Sequence, residues 1–133
     1  MPLIKRGDIL HRYFTDTTPP KSKFFVVIGE NSANIVGFFF VNSNINNYIQ
    51  HNRLYLDMQM PVKRSVYSFL NYDSFIDAHE VKLINKTLLH NEVISGNTTI
   101  EGCLIQEDIE LLLDALRVSK LFSKIEKETF FKY

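Results

Sequence analysis

The chain has 133 residues, 45% of them hydrophobic, a size and composition that suit one folded domain and exclude an intrinsically disordered protein. Fifteen basic and fifteen acidic residues give zero net charge, so the chain lacks the overall positive charge of a general nucleic-acid binder. No stretch reaches the roughly 18 apolar residues of a membrane span, and the N-terminus lacks the apolar stretch of a signal peptide. We therefore expect a soluble, cytoplasmic protein with one domain over residues 1–133.

The distribution of charge and the single cysteine bear on phosphate binding, disulfides and metal sites. Residues 1–66 carry eight basic and four acidic residues, giving +4, whereas residues 67–133 carry seven and eleven, giving −4. Two solvated surfaces explain this pattern, but a local phosphate-binding cluster is compatible with it. Cys103 has no partner for an internal disulfide, and we predict that it is buried and inert. Without a Cys/His cluster at ligand spacing, we expect neither a metal site nor a cofactor.

Three extended segments are predicted in the N-terminal third. Residues 9–14 form a first strand, and residues 24–28 are β-branched or aromatic throughout, which predicts a strand covered on both faces. Residues 35–41 follow a connection of turn-forming residue types and complete a hairpin. Within this segment Gly37 predicts a bulge that curves the sheet. The phenylalanines of both hairpin strands are assigned to the core.

The middle of the chain alternates polar and extended segments. Residues 42–52 are rich in asparagine, which predicts a long and mobile loop. The alternation from Leu54 to Gln59 predicts a half-buried strand that stops at Pro61. Residues 74–84 form another extended stretch. These segments bring the predicted strands to at least five.

The C-terminal region is predicted to be helical. Apolar residues recur there at helical spacing and form one stripe: Ile105, Ile109, Leu112, Leu113 and Leu116. For residues 117–133 the sequence leaves three alternatives open: they extend this helix, form another helix, or fray. Short antiparallel strands followed by a terminal helix predict a mainly β fold, a small antiparallel barrel with a C-terminal helix (α+β).

Four stretches occur in an order typical of one family. "KRGDIL" (residues 5–10) is similar to its opening Gly-Asp strand, and "KSKFFVVIG" (21–29) to its Lys-Thr-Arg-Pro segment and the following valine-rich strand. "SFIDAHEVKLINKTLL" (74–89) is similar to its late strand, and "EGCLIQEDIELLLDAL" (101–116) to its closing Gly-x-Leu and helix. On these residues the chain resembles the MazF/PemK-like toxins, SH3-like barrels that act as sequence-selective endoribonucleases.

The resemblance implies positions for catalysis, and the chain departs from the family at several of them. An arginine at the start of the second strand and a Thr or Ser after the third are central to cleavage in the family, and Lys23 and Ser43 occupy the matching places. Phe24 replaces the proline, and residues 78–80, Ala-His-Glu, replace Cys-Asp-Gln, with Asp77 beside them. Lysine supplies positive charge but lacks the bidentate fork of arginine.

Metal-free RNA cleavage requires a base for the ribose 2′-hydroxyl, an acid for the departing 5′-oxygen and donors for charge on phosphorus. Lys23 is the candidate cation, Ser43 the hydrogen-bond donor, and His79 or His11 the group for proton transfer. Each has an ordinary alternative: a strand-edge lysine that deters pairing, a loop serine, a surface histidine.

Basic and aromatic residues also suggest a groove for single-stranded RNA, in which bases stack on rings and phosphates pair with cations. The candidate RNA-binding residues are Lys21, Arg12, Lys63, Arg64, Tyr67 and Asp77. The resemblance further implies a homodimer and a small antitoxin whose acidic, flexible segment covers the groove. The alternative is a catalytically inactive barrel that binds a protein or nucleic-acid partner, motivated by the missing arginine, the missing Cys-Asp-Gln and the neutral charge.

Overall fold

The computed structural model describes residues 3–132, which form a curled antiparallel sheet with helices on both faces. Within these residues the seven strands are β1 (Asp8–Phe14), β2 (Lys21–Glu30), β3 (Ile35–Asn42), β4 (Gln59–Val62), β5 (Ser74–Asp77), β6 (Lys82–Asn85) and β7 (Thr99–Cys103). The five helices of the same region are α1 (Asn47–Gln50), α2 (Arg53–Leu56), α3 (Lys86–Ser95), α4 (Gln106–Val118) and α5 (Lys124–Phe130).

The sheet has the strand order β4-β5-β3-β2-β1-β7, and β6 pairs with the first half of β3. Each of these pairings is antiparallel. Because β3 pairs with β6 along its first half and with β5 at its end, the sheet curls into a half-barrel. The predicted class, a mainly β, small antiparallel barrel with a C-terminal helix, is confirmed.

Strand β2 is buried on both faces, as its sequence predicts. Phe25 and Val27 point into the smaller apolar core with Leu89 of α3, whereas Val26 and Ile28 point into the larger core under α4 and α5. These four strand residues are at most 3% exposed. Alternating side chains of one strand therefore enter two separate cores.

Two paired glycines of β2 and β3 allow the C-terminus to pack on the sheet. Gly29 pairs with Gly37, and a Cβ at either position would lie within 2.8 Å of an atom of Phe130. The predicted bulge lies in the opposite strand, because the register shifts between Val27 and Gly29 of β2. Gly37 is instead required by the close approach of the Phe130 ring.

Arginine contacts fix this C-terminal segment in place. Arg6 donates to the carbonyl oxygens of Ile28 at 2.6 Å and Phe130 at 3.0 Å, and also to that of Lys132. Burial lowers the pKa of Arg6, and the nearby charge of Arg117 lowers it further. Of the alternatives left open for residues 117–133, the described part contains a second helix, α5, which begins with a capping box.

The segment between β3 and β5 differs from its prediction. It contains two short helices, α1 and α2, because the side chains of Asn46 and Asn52 accept hydrogen bonds from Ile49 N and Tyr55 N and cap them. The prediction of a strand that starts at Leu54 and stops at Pro61 is wrong, because helix α2 occupies the first half of that segment. Strand β4 contains Pro61, which is tolerated because β4 lies at the edge of the sheet.

The extended stretch predicted for residues 74–84 is divided into β5 and β6 by a turn, and the sequence reading missed α3 and β7. The apolar residues of α3 do not form one stripe, and it buries only Leu89. The predicted stripe of α4 is confirmed for Leu112, Leu113 and Leu116, which are buried, and for Ile109, which packs against the larger core, but Ile105 is exposed at the N-cap position. Cys103 lies exposed on edge strand β7, so the prediction of a buried thiol is wrong.

No helix within residues 3–132 has both the length and the apolar character needed to cross a bilayer.

We predict that Gly29→Ala lowers the free energy of unfolding by about 1–3 kcal/mol, because the new methyl group would meet the backbone of Phe130 at 2.5 Å. Gly102→Ala is the matched control, since its methyl group meets only the half-buried ring of Phe69, which can move. Urea unfolding of both variants measures the difference. Equal losses would show that α5 is not tightly packed at Gly29.

Candidate functional site

A cavity of about 440 Å³ lies where β2 begins and β3 ends, and we call it the first cavity. Lys21, Lys23, Ser43 and His11 line it, so four of the predicted site residues meet at one place. Its remaining polar lining consists of hydroxyl and amide side chains: Ser22, Asn42, Asn44, Asn46, Asn71, Tyr72 and Ser74. No arginine lines it within residues 3–132.

Lys23 is the most constrained cation of this cavity. Its Nζ donates to Asn42 Oδ1 at 2.5 Å and lies 4.2 Å from the centroid of the Phe40 ring. Lys23, Phe40 and Asn42 share a face of the sheet because Phe24 pairs with Val41, which places their neighbours side by side across β2 and β3. The ammonium is therefore held by a cation–π contact and a hydrogen bond.

The environment of Lys23 changes its acidity. Burial lowers the pKa of Lys23 to about 8, and the nearby charge of Lys21 adds to the decrease. The charge of Asp77 raises the pKa of Lys23, whereas that of Lys82 lowers it. At pH 7 the side chain remains mostly protonated, so it supplies positive charge and also a proton that is easier to donate than that of an ordinary lysine.

His11 and Ser43 complete the chemistry of the first cavity. His11 is half-buried, and its ring centroid lies 4.6 Å from that of Phe24, its partner across β1 and β2. Ser43 is exposed and directly follows the last residue of β3. The His11 ring lies on the face of the larger core with Phe24, whereas the Lys23 ammonium lies on the opposite face with Phe40, so the two groups border the cavity from different faces of the sheet. A cation, an imidazole and a hydroxyl that border one polar cavity are groups suited to binding a phosphodiester and moving a proton.

His79 lies outside the set of described residues that line the first cavity. Its Nδ1 is hydrogen-bonded to Asp77, and its ring centroid lies 4.7 Å from that of Tyr55. Burial raises the pKa of Asp77, but hydrogen bonds from His79 and from Gln59, at 2.7 Å, outweigh burial and leave this pKa lowered. Asp77 thus fixes one nitrogen of His79 and acts on Lys23 through its charge.

The other predicted RNA-binding residues are dispersed. Arg12 forms a two-point ion pair with Glu92, at 2.6 and 3.0 Å. Lys63 and Arg64 are exposed, and Arg64 Nε donates to the carbonyl of Leu70 at 3.0 Å. Arg64 therefore holds the loop that supplies Leu70, Asn71 and Tyr72 to the wall of the first cavity.

Tyr67 is a structural residue. It is only 4% exposed, and its hydroxyl donates to Asp108 at 2.5 Å and accepts from Ile105 N at 3.1 Å. Burial raises the pKa of Tyr67 to about 12, and the hydrogen bond to Asp108 contributes to the increase. A buried ring offers no face for base stacking, so we leave Tyr67 out of the proposed site.

Sequence reasoning missed three contacts of the site. Asn42 accepts a hydrogen bond from the Lys23 ammonium, Tyr55 packs on His79, and the charge of Lys82 lowers the pKa of Lys23. Alternation along β3 could have placed Asn42 beside Lys23, but only folding brings α2 and β6 to the site. No cluster of three or more His, Cys, Asp or Glu side chains within residues 3–132 could hold a metal ion.

The chain matches no protein-family model, and no curated protein matches it significantly.

We predict that Asp77→Asn lowers the pKa of Lys23 further below 8 and that Lys82→Gln raises it, because the two charges act on Lys23 with opposite sign. The carbon-13 shift of Lys23 Cε, followed by NMR from pH 6 to 11, measures both changes. The pKa of Lys23 in the folded state is below the usual 10.5, so between about pH 8 and 10.5 the unfolded chain binds more protons than the folded chain. The charged form of Lys23 destabilises the fold, and this destabilisation decreases as pH rises through that window. Shifts of the same sign in both variants would contradict this placement.

We predict that Tyr67→Phe lowers the free energy of unfolding by about 1–2 kcal/mol, because it removes the hydroxyl that joins Ile105 N to the Asp108 carboxylate. The control Tyr13→Phe changes an exposed tyrosine and is expected to have little effect. Urea unfolding distinguishes the two. An unchanged stability of Tyr67→Phe would mean that water replaces the hydroxyl without cost.

Proposed function

We propose that the chain is an endoribonuclease toxin of the MazF/PemK type that cleaves single-stranded RNA without a metal ion. The observation that carries this proposal is that Lys23, Ser43 and His11 all line the first cavity, with the Lys23 ammonium on the Phe40 face of the sheet and the His11 ring on the opposite, Phe24 face. The three residues come from β1, from β2 and from the position directly after β3.

In the proposed reaction, His11 accepts the proton of the ribose 2′-hydroxyl, and the 2′-oxygen attacks phosphorus. The bond from phosphorus to the 5′-oxygen breaks, which leaves a 2′,3′-cyclic phosphate and a 5′-hydroxyl. Lys23 stabilises the developing negative charge and, with a pKa of about 8, is suited to protonate the departing oxygen. Ser43 donates a hydrogen bond to a phosphate oxygen.

The role proposed for His79 is indirect. Asp77 holds its Nδ1, and the same carboxylate raises the pKa of Lys23, so the pair adjusts the charge beside the first cavity. Lys21, exposed on the same wall, would bind a phosphate next to the scissile one.

The proposal includes the partners and the location that the resemblance implies. The first cavity carries Lys21 and Lys23, so an acidic, flexible segment of a small antitoxin would compete with RNA for the same charges. A homodimer and action on cytoplasmic RNA belong to the same proposal.

One observation favours the second candidate function, a catalytically inactive barrel that binds a protein or nucleic-acid partner. The Lys23 ammonium already contacts Asn42 and Phe40, and lysine cannot reproduce the two-point grip of arginine on phosphate. Under this alternative the first cavity binds a phosphate or an acidic segment and no bond is cleaved.

We predict that the purified protein cleaves mixed-sequence RNA in the presence of a chelator and that a Lys23→Ala, Ser43→Ala double variant is slower by at least about a hundredfold, because charge stabilisation and a donor are lost. Lys23→Arg should retain or raise the activity. Gel analysis of end-labelled RNA measures the rates, with Lys124→Ala, on exposed α5 surface, as the matched control.

Equal rates for the wild type and the double variant would reject the nuclease and leave the binding barrel. Cleavage by Lys124→Ala at the rate of the double variant would point to a contaminating nuclease or a folding defect, which circular dichroism separates.

A further inference from the structure

A second cavity, of about 430 Å³, lies on the face of the sheet that carries the smaller apolar core. Its volume is within the roughly 300–1,000 Å³ typical of small-molecule sites. It is lined by an aromatic floor, two cations, one carboxylate and small polar or aliphatic side chains: Phe14, Phe38, Phe40, Arg12, Lys82, Asp16, Thr15, Thr17, Leu83 and Ile84. The proposed cleavage reaction uses none of these residues.

The floor of the second cavity is a continuous aromatic surface. The ring centroids of Phe14 and Phe40 are 5.0 Å apart, and those of Phe38 and Phe40 are 5.6 Å apart. Phe14 and Phe38 are only 3% exposed, whereas Phe40 is half-buried. Phe40 is therefore the accessible ring of this floor, packed against two buried rings, and it suits contact with a planar base.

Two lysines supply the positive charge at this floor. Lys23 Nζ lies 4.2 Å from the Phe40 centroid, and Lys82 stands on the same face because it pairs with Phe38 across β3 and β6. Lys82 pairs with Glu80 at 2.6 Å, but both side chains are at least 40% exposed, and such a surface pair exchanges readily for another anion. Arg12, by contrast, is neutralised by its two-point pair with Glu92.

The two cavities meet at Lys23. Lys23 lines the first cavity, and its ammonium lies over Phe40, which forms the floor of the second. A phosphodiester bound at Lys23 would therefore have one nucleotide on the side of the first cavity and the next on the side of the second.

We propose that the second cavity binds one nucleotide unit of single-stranded RNA, with the base against the half-buried ring of Phe40 and its phosphate between Lys82 and Lys23. This inference rests on the proposed function for its choice of RNA. A free nucleoside monophosphate presents the same chemistry, a planar base beside a phosphate, so the experiment includes both sources.

The test is an NMR titration at fixed salt with a 2′-O-methyl RNA hexanucleotide and, separately, with uridine 5′-monophosphate. The methyl groups remove the attacking hydroxyl, so binding is measured whether or not the protein cleaves RNA. We expect the hexanucleotide to shift the backbone amides of Phe38, Leu83 and Ile84 at the second cavity together with those of Asn42 and Ser43 at the first.

Two matched variants locate the charge. Lys82→Glu is expected to weaken hexanucleotide binding by about tenfold or more, since it turns an attraction for phosphate into a repulsion. Lys124→Glu makes the same charge change on α5, where the side chain is 89% exposed, and should weaken binding less than twofold. Equal weakening by both variants would overturn the inference, because it would reduce the effect to total charge.

The remaining outcomes separate this inference from the nuclease. Hexanucleotide shifts confined to the first cavity would overturn the inference even if the wild type cleaves RNA. Shifts at the second cavity with the monophosphate alone would overturn the assignment to RNA and identify a mononucleotide site. Shifts at both cavities without any cleavage of unmodified RNA would support the inference and reject the nuclease.

Discussion

The fold depends on one constraint, the burial of strand β2 on both faces. Because Phe25 and Val27 enter one core and Val26 and Ile28 the other, the middle of this strand has no place for a polar side chain. Charged residues are therefore confined to its ends. Lys21 and Lys23 stand at the first end, where the helices no longer cover the sheet, and this explains why cations precede so apolar a run.

The same constraint determines the electrostatics of the candidate site. Lys23 occupies the last position before the strand enters its cores, so it is neither free in solvent nor fully buried. The Phe40 ring and Asn42 compensate part of the lost hydration, and the remaining penalty appears as a lowered pKa. A lysine in this environment is a stronger acid than a surface lysine.

The C-terminal helices stabilise the sheet without contributing a group to either cavity. Gly29 and Gly37 leave room for Phe130, and Arg6 binds the carbonyl groups that α5 and β2 present there. Packing and the candidate site occupy opposite ends of the β2–β3 pair. The C-terminus packs at the end that contains Gly29 and Gly37, whereas the first cavity lies at the end that contains Lys23 and Asn42.

The sequence by itself determined the class of fold, the hairpin of β2 and β3 and the apolar face of α4, because period and turn residues are local properties. Lys23 and Ser43 became candidates through the family resemblance and His11 through its residue type, and the structure places all three on the lining of the first cavity. It did not determine α2, α3 or the division of β5 from β6, since asparagine caps and packing override weak local preference. Only the tertiary structure decided that Tyr67 is buried, that Cys103 is exposed and that His79 lies apart from the first cavity. The physical reason is that burial and neighbouring charge depend on segments distant in the chain, and only folding brings those segments together.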